Sequence, residues 1–190
     1  MRSRVASVAV AAVLTGSPCA AQQFHLALGG GLAAGLGATG QFAPAGPLAY
    51  AEAGWRPAAS RPGAVLRIEH ARLAADPLTT LVDDARRSTT AITLGAEFRP
   101  ARRLLPPFDA RLTLGAVAFR DGGFVLGGAS AAVPGRLGSQ AWAFGGALGL
   151  GLALPLGRVA LIGDFRAVLV PRREGDWGMV PLTVGARVAW

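Results

Sequence analysis

Hydrophobic and polar residues alternate with a period of two along most of this chain. The clearest run is the C-terminal VPLTVGARVAW. Val180, Leu182, Val184, Ala186, Val188 and Trp190 fall on one face, and Thr183, Gly185, Arg187 and Ala189 on the other. Residues 88–99, STTAITLGAEFR, set Ile92, Leu94, Ala96 and Phe98 against Ala91, Thr93, Gly95, Glu97 and Arg99. Residues 108–119, FDARLTLGAVAF, separate Phe108, Ala110, Leu112 and Leu114 from Asp109, Arg111, Thr113 and Gly115. A helix would smear these sets around its surface, whereas a strand keeps them apart. The same pattern predicts eight strands, near 23–36, 48–57, 63–74, 88–99, 108–119, 139–154, 158–170 and 178–190.

Each segment has about the length of a tilted transmembrane strand, about 9–11 residues with some overhang. The connections alternate in character. PAASRP, PARRLLPP and PLG are short and proline-rich, while GATGQFAPAGP, ADPLTTLVDDARR, RDGGFVLGGASAAVPGRLG and PRREGDW are mostly longer and more polar. Short periplasmic turns and longer outer loops mark outer-membrane barrels. Both chain ends are then expected on the periplasmic side, and FVLGGASAA in the third long loop is expected to add β-structure beyond the membrane.

Composition agrees. The chain is 52% apolar, yet past its first residues it holds no uncharged apolar stretch of the roughly 18 residues a spanning helix needs. An apolar, exported chain without such helices can live in lipid as a closed β-barrel. Export is read from MRSRVASVAVAAVLTGSPCAAQQ. Arg2 and Arg4 form a positive start, Val5 to Leu14 an apolar run, and small residues end at Ala21. We therefore expect a signal peptide over 1–21 and a barrel domain over 22–190. A lipid anchor on Cys19 is the alternative, with Pro18 where a small residue is normally found. Cleavage after Ala21 leaves no cysteine, so disulfides are not expected to stabilise the domain.

All 19 basic residues are arginine, and the formal net charge is +8. The arginines are scattered, no basic run exceeds two, and the chain is exported, so nucleic acid is not expected as a partner. The stretch GLGATG (35–40) matches the dinucleotide fingerprint letter for letter. However, Pro44, Gly46 and Pro47 stand where a helix should open, and Glu52 comes too early to bind a ribose. No cofactor is expected. The 27 glycines in 190 residues fit another purpose. Ala27, Gly29, Gly31, Ala33 and Gly35 on the first strand, and Ala143, Gly145, Ala147, Gly149 and Gly151 on the sixth, share the inward face of a barrel only just wide enough for side chains to fill.

Aromatic placement is an independent check. Phe24, Trp55, Phe98, Phe108 and Trp190 have outward parity at periplasmic strand ends, and Trp142 and Phe144 lie outward near the opposite end. Two interfacial girdles result. The core aromatics of a soluble sandwich would not gather in this way.

With these features the chain resembles the small outer-membrane β-barrels of the OmpA/OmpX type, in pattern over about residues 22–190. The fold implied is all-β, an eight-stranded antiparallel up-and-down transmembrane barrel located in the bacterial outer membrane. Thr183, Gly185, Val188 and Trp190 resemble the C-terminal insertion signal of that family. The resemblance thus implies the barrel-assembly machinery as a partner during insertion.

The charged residues with inward parity are Glu52, Arg67, Glu69, Glu97, Asp109, Arg111, Asp164, Arg166 and Arg187. An arginine facing lipid costs roughly 2–4 kcal/mol at the midplane, whereas inside the barrel the charges can pair. We expect an interior ion-pair network, with Glu52 opposite Arg67 and Glu97 opposite or diagonal to Arg111. Arg111 and Arg166 are expected to extend into the space left by the small residues and close the lumen. A small channel for small or apolar solutes is the alternative, and a lipid-modifying barrel enzyme a further one. Lipid A deacylases of this shape place a serine two residues after their histidine. Here His70 is followed at that position by Arg72, so no enzyme is expected. His25 lies inward at the periplasmic end, and no grouping along the sequence has metal-ligand spacing, so no metal is expected. Finally, Arg72, Arg86, Arg87, Arg120, Arg136, Arg172 and Arg173 form an outer rim suited to phosphate, and outer-membrane lipids, lipopolysaccharide among them, are the expected partners.

Overall fold

Alternation overrides intrinsic propensity in this chain. Alanine and glycine are poor strand formers, yet QFHLALGGGLAAGLG is one continuous strand. The computed structural model describes residues 23–37, 45–58, 61–74, 86–100, 107–125, 136–137, 142–171 and 176–190. The expected signal segment, Cys19 and the rim residues Arg172 and Arg173 lie outside the described residues, as do the side chains of Arg86 and Arg136.

The strands are β1 (Gln23–Gly37), β2 (Ala45–Arg56), β3 (Gly63–Ala74), β4 (Arg86–Phe98), β5 (Asp109–Val125), β6 (Arg136–Leu137), β7 (Trp142–Leu156), β8 (Val159–Val170) and β9 (Trp177–Ala189). They pair antiparallel in the order β4-β3-β2-β1-β9-β8-β7-β5, and β4 pairs with β5 to close the barrel. Closure leaves no free edge among the long strands, which is the condition for placing backbone amides in lipid. The two-residue β6 pairs with Phe124 and Val125 at the top of β5.

The expected strand positions are close to those observed, with differences at the outer ends. β2 begins at Ala45 instead of 48. β5 runs six residues past its expected end, and β6 extends the sheet beyond it. A register shift between Arg87 and Thr89 on β4 accommodates the longer β5. At the other end, β7 and β8 are joined by Gly157 and Arg158 between the paired Leu156 and Val159. Gly157 takes φ 71°, the positive value that the first position of such a two-residue hairpin turn requires.

Parity sorts the side chains. β3 alternates buried and exposed at every position. Leu28, Leu94, Leu150, Phe165 and Val184 point outward and are more than half exposed. So continuous an apolar surface belongs in a bilayer; on a soluble monomer it would be an aggregation surface. Phe24, Trp55, Phe98 and Phe108 ring one end on the outside, and Trp142 and Phe144 mark the other. Trp190 closes the seam at the first end, where Phe24 N donates to Trp190 O (3.0 Å) and Trp190 N to Phe24 O (3.1 Å).

The interior has two storeys. Toward the outer loops it is mainly apolar, with Leu73, Phe119, Val168, Val170, Trp177 and Met179 buried together and Arg87 and Asp121 the charged pair among them. The Phe119 and Trp177 rings meet edge to face, with centroids 6.5 Å apart. Toward the end where β1 begins and β9 ends, the expected periplasmic end, it is charged.

Candidate functional site

The charged storey is built from one row of inward positions per strand. Glu52 on β2 is in direct register with Arg67 on β3. Glu97 on β4 opposes Thr113 on β5, so Arg111, two residues before Thr113, is its diagonal neighbour. Both relationships follow from parity plus hairpin length, and a slip of one residue would have turned every one of these charges to lipid.

The side chains then reach past their neighbours. Arg67 donates from Nη1 to Asp164 Oδ2 (2.8 Å) and Glu52 Oε2 (3.2 Å), from Nε to Glu69 Oε1 (2.8 Å), and from Nη2 to Thr183 Oγ1 (3.0 Å). Its guanidinium also lies 3.7 Å from the Tyr50 ring centroid. Arg111 donates to both oxygens of Glu52 (2.8 Å each) and both of Asp164 (2.9 and 3.0 Å), and reaches Glu97 Oε2 at 3.2 Å. Arg166 pairs with Glu69 (2.8 Å) and donates to Thr93 Oγ1 (3.1 Å). In the barrel order β3 and β8 face each other, so Arg67–Asp164 and Arg166–Glu69 are reciprocal bridges across the full width. These forked, charge-assisted bonds compensate for the cost of burying the ions, which would otherwise be several kcal/mol each.

The glycines make this crossing possible. A Cβ at Gly149 would stand 2.8 Å from Arg166 Cγ. One at Gly151 would stand 2.9 Å from Arg111 Cγ and would overlap Asp164 Oδ1. The stems of both arginines therefore lie over bare backbone on β7. Gly29 and Gly185 make the same room for the Tyr50 ring. Among the described residues, the void bounded by Glu52, Arg67, Thr93, Thr113 and Arg166 holds about 10 Å³, at the lower limit for a single water.

The structure thus brings together Glu52, Arg67, Glu69, Glu97, Arg111, Asp164 and Arg166. Arg187 is buried in the same storey, but no ion pair joins it to a described carboxylate, and its Nη1 has no hydrogen-bond partner. Asp109 stands half-buried at the periplasmic end and is engaged in an interaction of its own. Parity also held residues that the sequence reading left out of the network. His25 Nε2 lies 3.3 Å from Glu52 Oε1. Arg56 Nη2 and Arg99 Nε both meet Glu97 Oε1 at 2.5 Å. Arg56 continues the inward series Glu52, Gly54 on β2, and that signal was available. Arg99, just past the end of β4, has its guanidinium pushed down to about 10 by burial; Glu97 opposes the shift, and nearby Arg187 and Arg56 add to it.

His25, Glu52 and Glu97 place potential ligand atoms within 4.8 Å of one another, a grouping across three strands that sequence spacing could not reveal. It does not fit a metal. Both carboxylates are already held by Arg56, Arg67, Arg99 and Arg111, and a further cation would enter a pocket crowded with guanidinium charge.

At the outer end one expectation is corrected. Arg87 does not lie on the rim. It points into the barrel, is buried, and donates from Nε to Asp121 Oδ1 and Oδ2 (3.0 Å each). β4 and β5 extend farther outward than expected, so inward parity continues through both residues. Arg72 and Arg120 are exposed on the outer wall, as expected for the rim. There the registers His70↔Thr90, Thr90↔Arg120 and Arg120↔Trp142 define a polar row across β3, β4, β5 and β7. His70 Nδ1 lies 3.0 Å from Thr90 Oγ1, and Arg120 Cζ lies 6.0 Å from the Trp142 ring centroid.

No protein-family model matches the chain, and no curated protein matches it. Solved structures do. The structure of Neisserial surface protein A (NspA) is similar at a TM-score of 0.62 and 15% identity, covering 87% of this chain and 96% of that one. A major outer membrane protein from Thermus thermophilus is similar at 0.59 and 13%, covering 90% and 100%. Ail, the attachment invasion locus protein of Yersinia pestis, is similar at 0.57 and 12%, covering 90% and 99%. At these identities the likeness is one of fold. Together with the apolar outer wall it defines the class, an eight-stranded membrane-spanning β-barrel.

Proposed function

We propose that this chain is a closed envelope barrel with a structural and surface-interaction role, and that its outward polar row binds the phosphate-bearing headgroups of outer-membrane lipid. The observation that carries the first part is the pair of reciprocal bridges, Arg67–Asp164 and Arg166–Glu69, which cross the lumen where a channel would need water. Narrow eight-stranded barrels fill with side chains, whereas aqueous porins use about 16–18 strands. Liposome swelling with a small sugar tests this. Rates equal to protein-free liposomes are expected, and sugar-dependent swelling would favour the small channel instead.

The lipid part rests on the row itself. Arg72, His70, Thr90, Arg120 and Trp142 combine cationic forks, hydroxyl and imidazole groups and an interfacial indole at the outer boundary of the apolar wall. Lipopolysaccharide presents phosphates at that depth. Ail has been solved with the heparin analogue sucrose octasulfate, another polyanion. The pairing of His70 with Thr90, with Arg72 where the deacylases have serine, supports a binding row rather than a hydrolytic site. Refolded protein carrying R72Q and R120Q together should retain less lipopolysaccharide than wild type at equal folded yield. Equal retention would remove the row from the account.

A further inference from the structure

The geometry points to a second anion site at the opposite end of the molecule: Arg56, Arg99 and Arg187 form a receptor for a phosphate-class oxyanion in the periplasmic mouth of the lumen. Three observations converge on it.

The first is an imbalance of charge inside the barrel. Glu52, Glu69, Glu97 and Asp164 are engaged by Arg67, Arg111 and Arg166, and Glu97 must also serve Arg56 and Arg99. Arg187 comes in addition. Its register partners, Ala27 on β1 and Ala160 on β8, bring no carboxylate to it.

The second is a set of buried donors left over. Arg187 and Arg56 are each 5% exposed, yet Arg187 Nη1 and Arg56 Nε have no hydrogen-bond partner. A buried guanidinium donor without an acceptor costs more than a neutral one, so such groups normally find partners. Arg99, by contrast, keeps 17% of its side chain exposed, so the mouth is open at that point. His25 is engaged with Glu52, Glu52 is held by Arg111, and Asp109 at the same end is occupied with its own interaction.

The third is where the net charge of the chain sits. Among the described residues, the connections on this side carry Arg61, Arg99 and Arg158, and Asp109 at the start of β5 is the carboxylate beside them, engaged in an interaction of its own. At the other end the described residues include Asp121 and Asp176 alongside Arg72, Arg87 and Arg120. An anion approaching from the periplasm therefore meets a mainly positive field that narrows into three guanidinium groups. Arginine forks match the oxygens of a phosphate. A bound oxyanion would supply acceptors to Arg187 and Arg56 and relieve the mutual repulsion of the cluster. The phosphate could belong to a free periplasmic anion or to an anionic headgroup of the inner leaflet.

The test uses the full chain refolded in an amine-oxide detergent, titrated with inorganic phosphate against chloride at constant ionic strength and read by calorimetry and ³¹P line width. Saturable binding of one phosphate is expected. R187Q or R99Q should weaken it roughly tenfold or more, the loss of a charge-assisted bond, whereas Gly163→Ala, on the outward face of β8 where an added methyl meets nothing within 4 Å, should leave it unchanged. R99Q, at the open edge, keeps the test valid if R187Q fails to fold. In nanodiscs, loss of phosphate binding when phosphatidylglycerol joins phosphatidylcholine identifies a headgroup as the source, and undiminished binding identifies the free anion. Both uphold the site. Absence of saturable binding above the chloride control, or equal affinity in R99Q and wild type, overturns it.

Discussion

Arg67 Nη1 reaches Asp164 Oδ2 at 2.8 Å from the strand diametrically opposite, so a single ion pair spans the barrel. The same guanidinium also holds Glu52, Glu69 and Thr183 and stacks on Tyr50. It is the hub of the interior, and its removal would leave three carboxylates short of a partner in a low-dielectric space.

Replacement of Arg67 by methionine should therefore lower stability by about 3–5 kcal/mol, the range for breaking one side of a buried pair. Urea unfolding of the refolded barrel, followed by tryptophan fluorescence, measures it. A change within about 0.5 kcal/mol, the usual scatter for an inconsequential substitution, would mean that the network adds nothing to the fold.

The glycine faces give a matched pair. Gly151→Ala drives a methyl group into Asp164 and the Arg111 stem, and should cost about 1–3 kcal/mol. Gly163→Ala, on the outward face of the neighbouring strand, meets nothing within 4 Å and should be close to neutral. Equal effects in the same unfolding assay would contradict the assignment of inside and outside.

Much of this was legible in the sequence because lipid on one side and charge on the other impose strict alternation. Glu52 opposite Arg67, Glu97 diagonal to Arg111, and the room left by Gly149 and Gly151 follow from parity and turn length alone. Residues assigned to loops were less legible. Arg87 counts as a rim charge when β4 is started at 88, Asp121 falls beyond a β5 ended at 119, and Trp177 drops out of the inner apolar storey when β9 is started at 178. Which carboxylate each arginine selects was not legible either. That depends on side-chain reach across the lumen, which carries Arg67 to a residue 97 positions away.

Trp190 joins β9 to β1 through two backbone bonds with Phe24, and it is the aromatic end of the proposed insertion signal. Deleting it should sharply lower outer-membrane levels while export continues, as seen by immunoblotting of cell fractions. The substitution W190A keeps the backbone bonds and should show most of the same defect. Normal levels of W190A would assign the residue to the seam instead.

The central claim is that the interior is closed by side chains, and single-channel recording across a planar bilayer tests it most directly. Refolded protein, with folding verified by its heat-dependent gel shift, should give a quiet bilayer at moderate voltage. Stable, reproducible conductance steps of porin size from the wild-type protein would contradict the filled barrel.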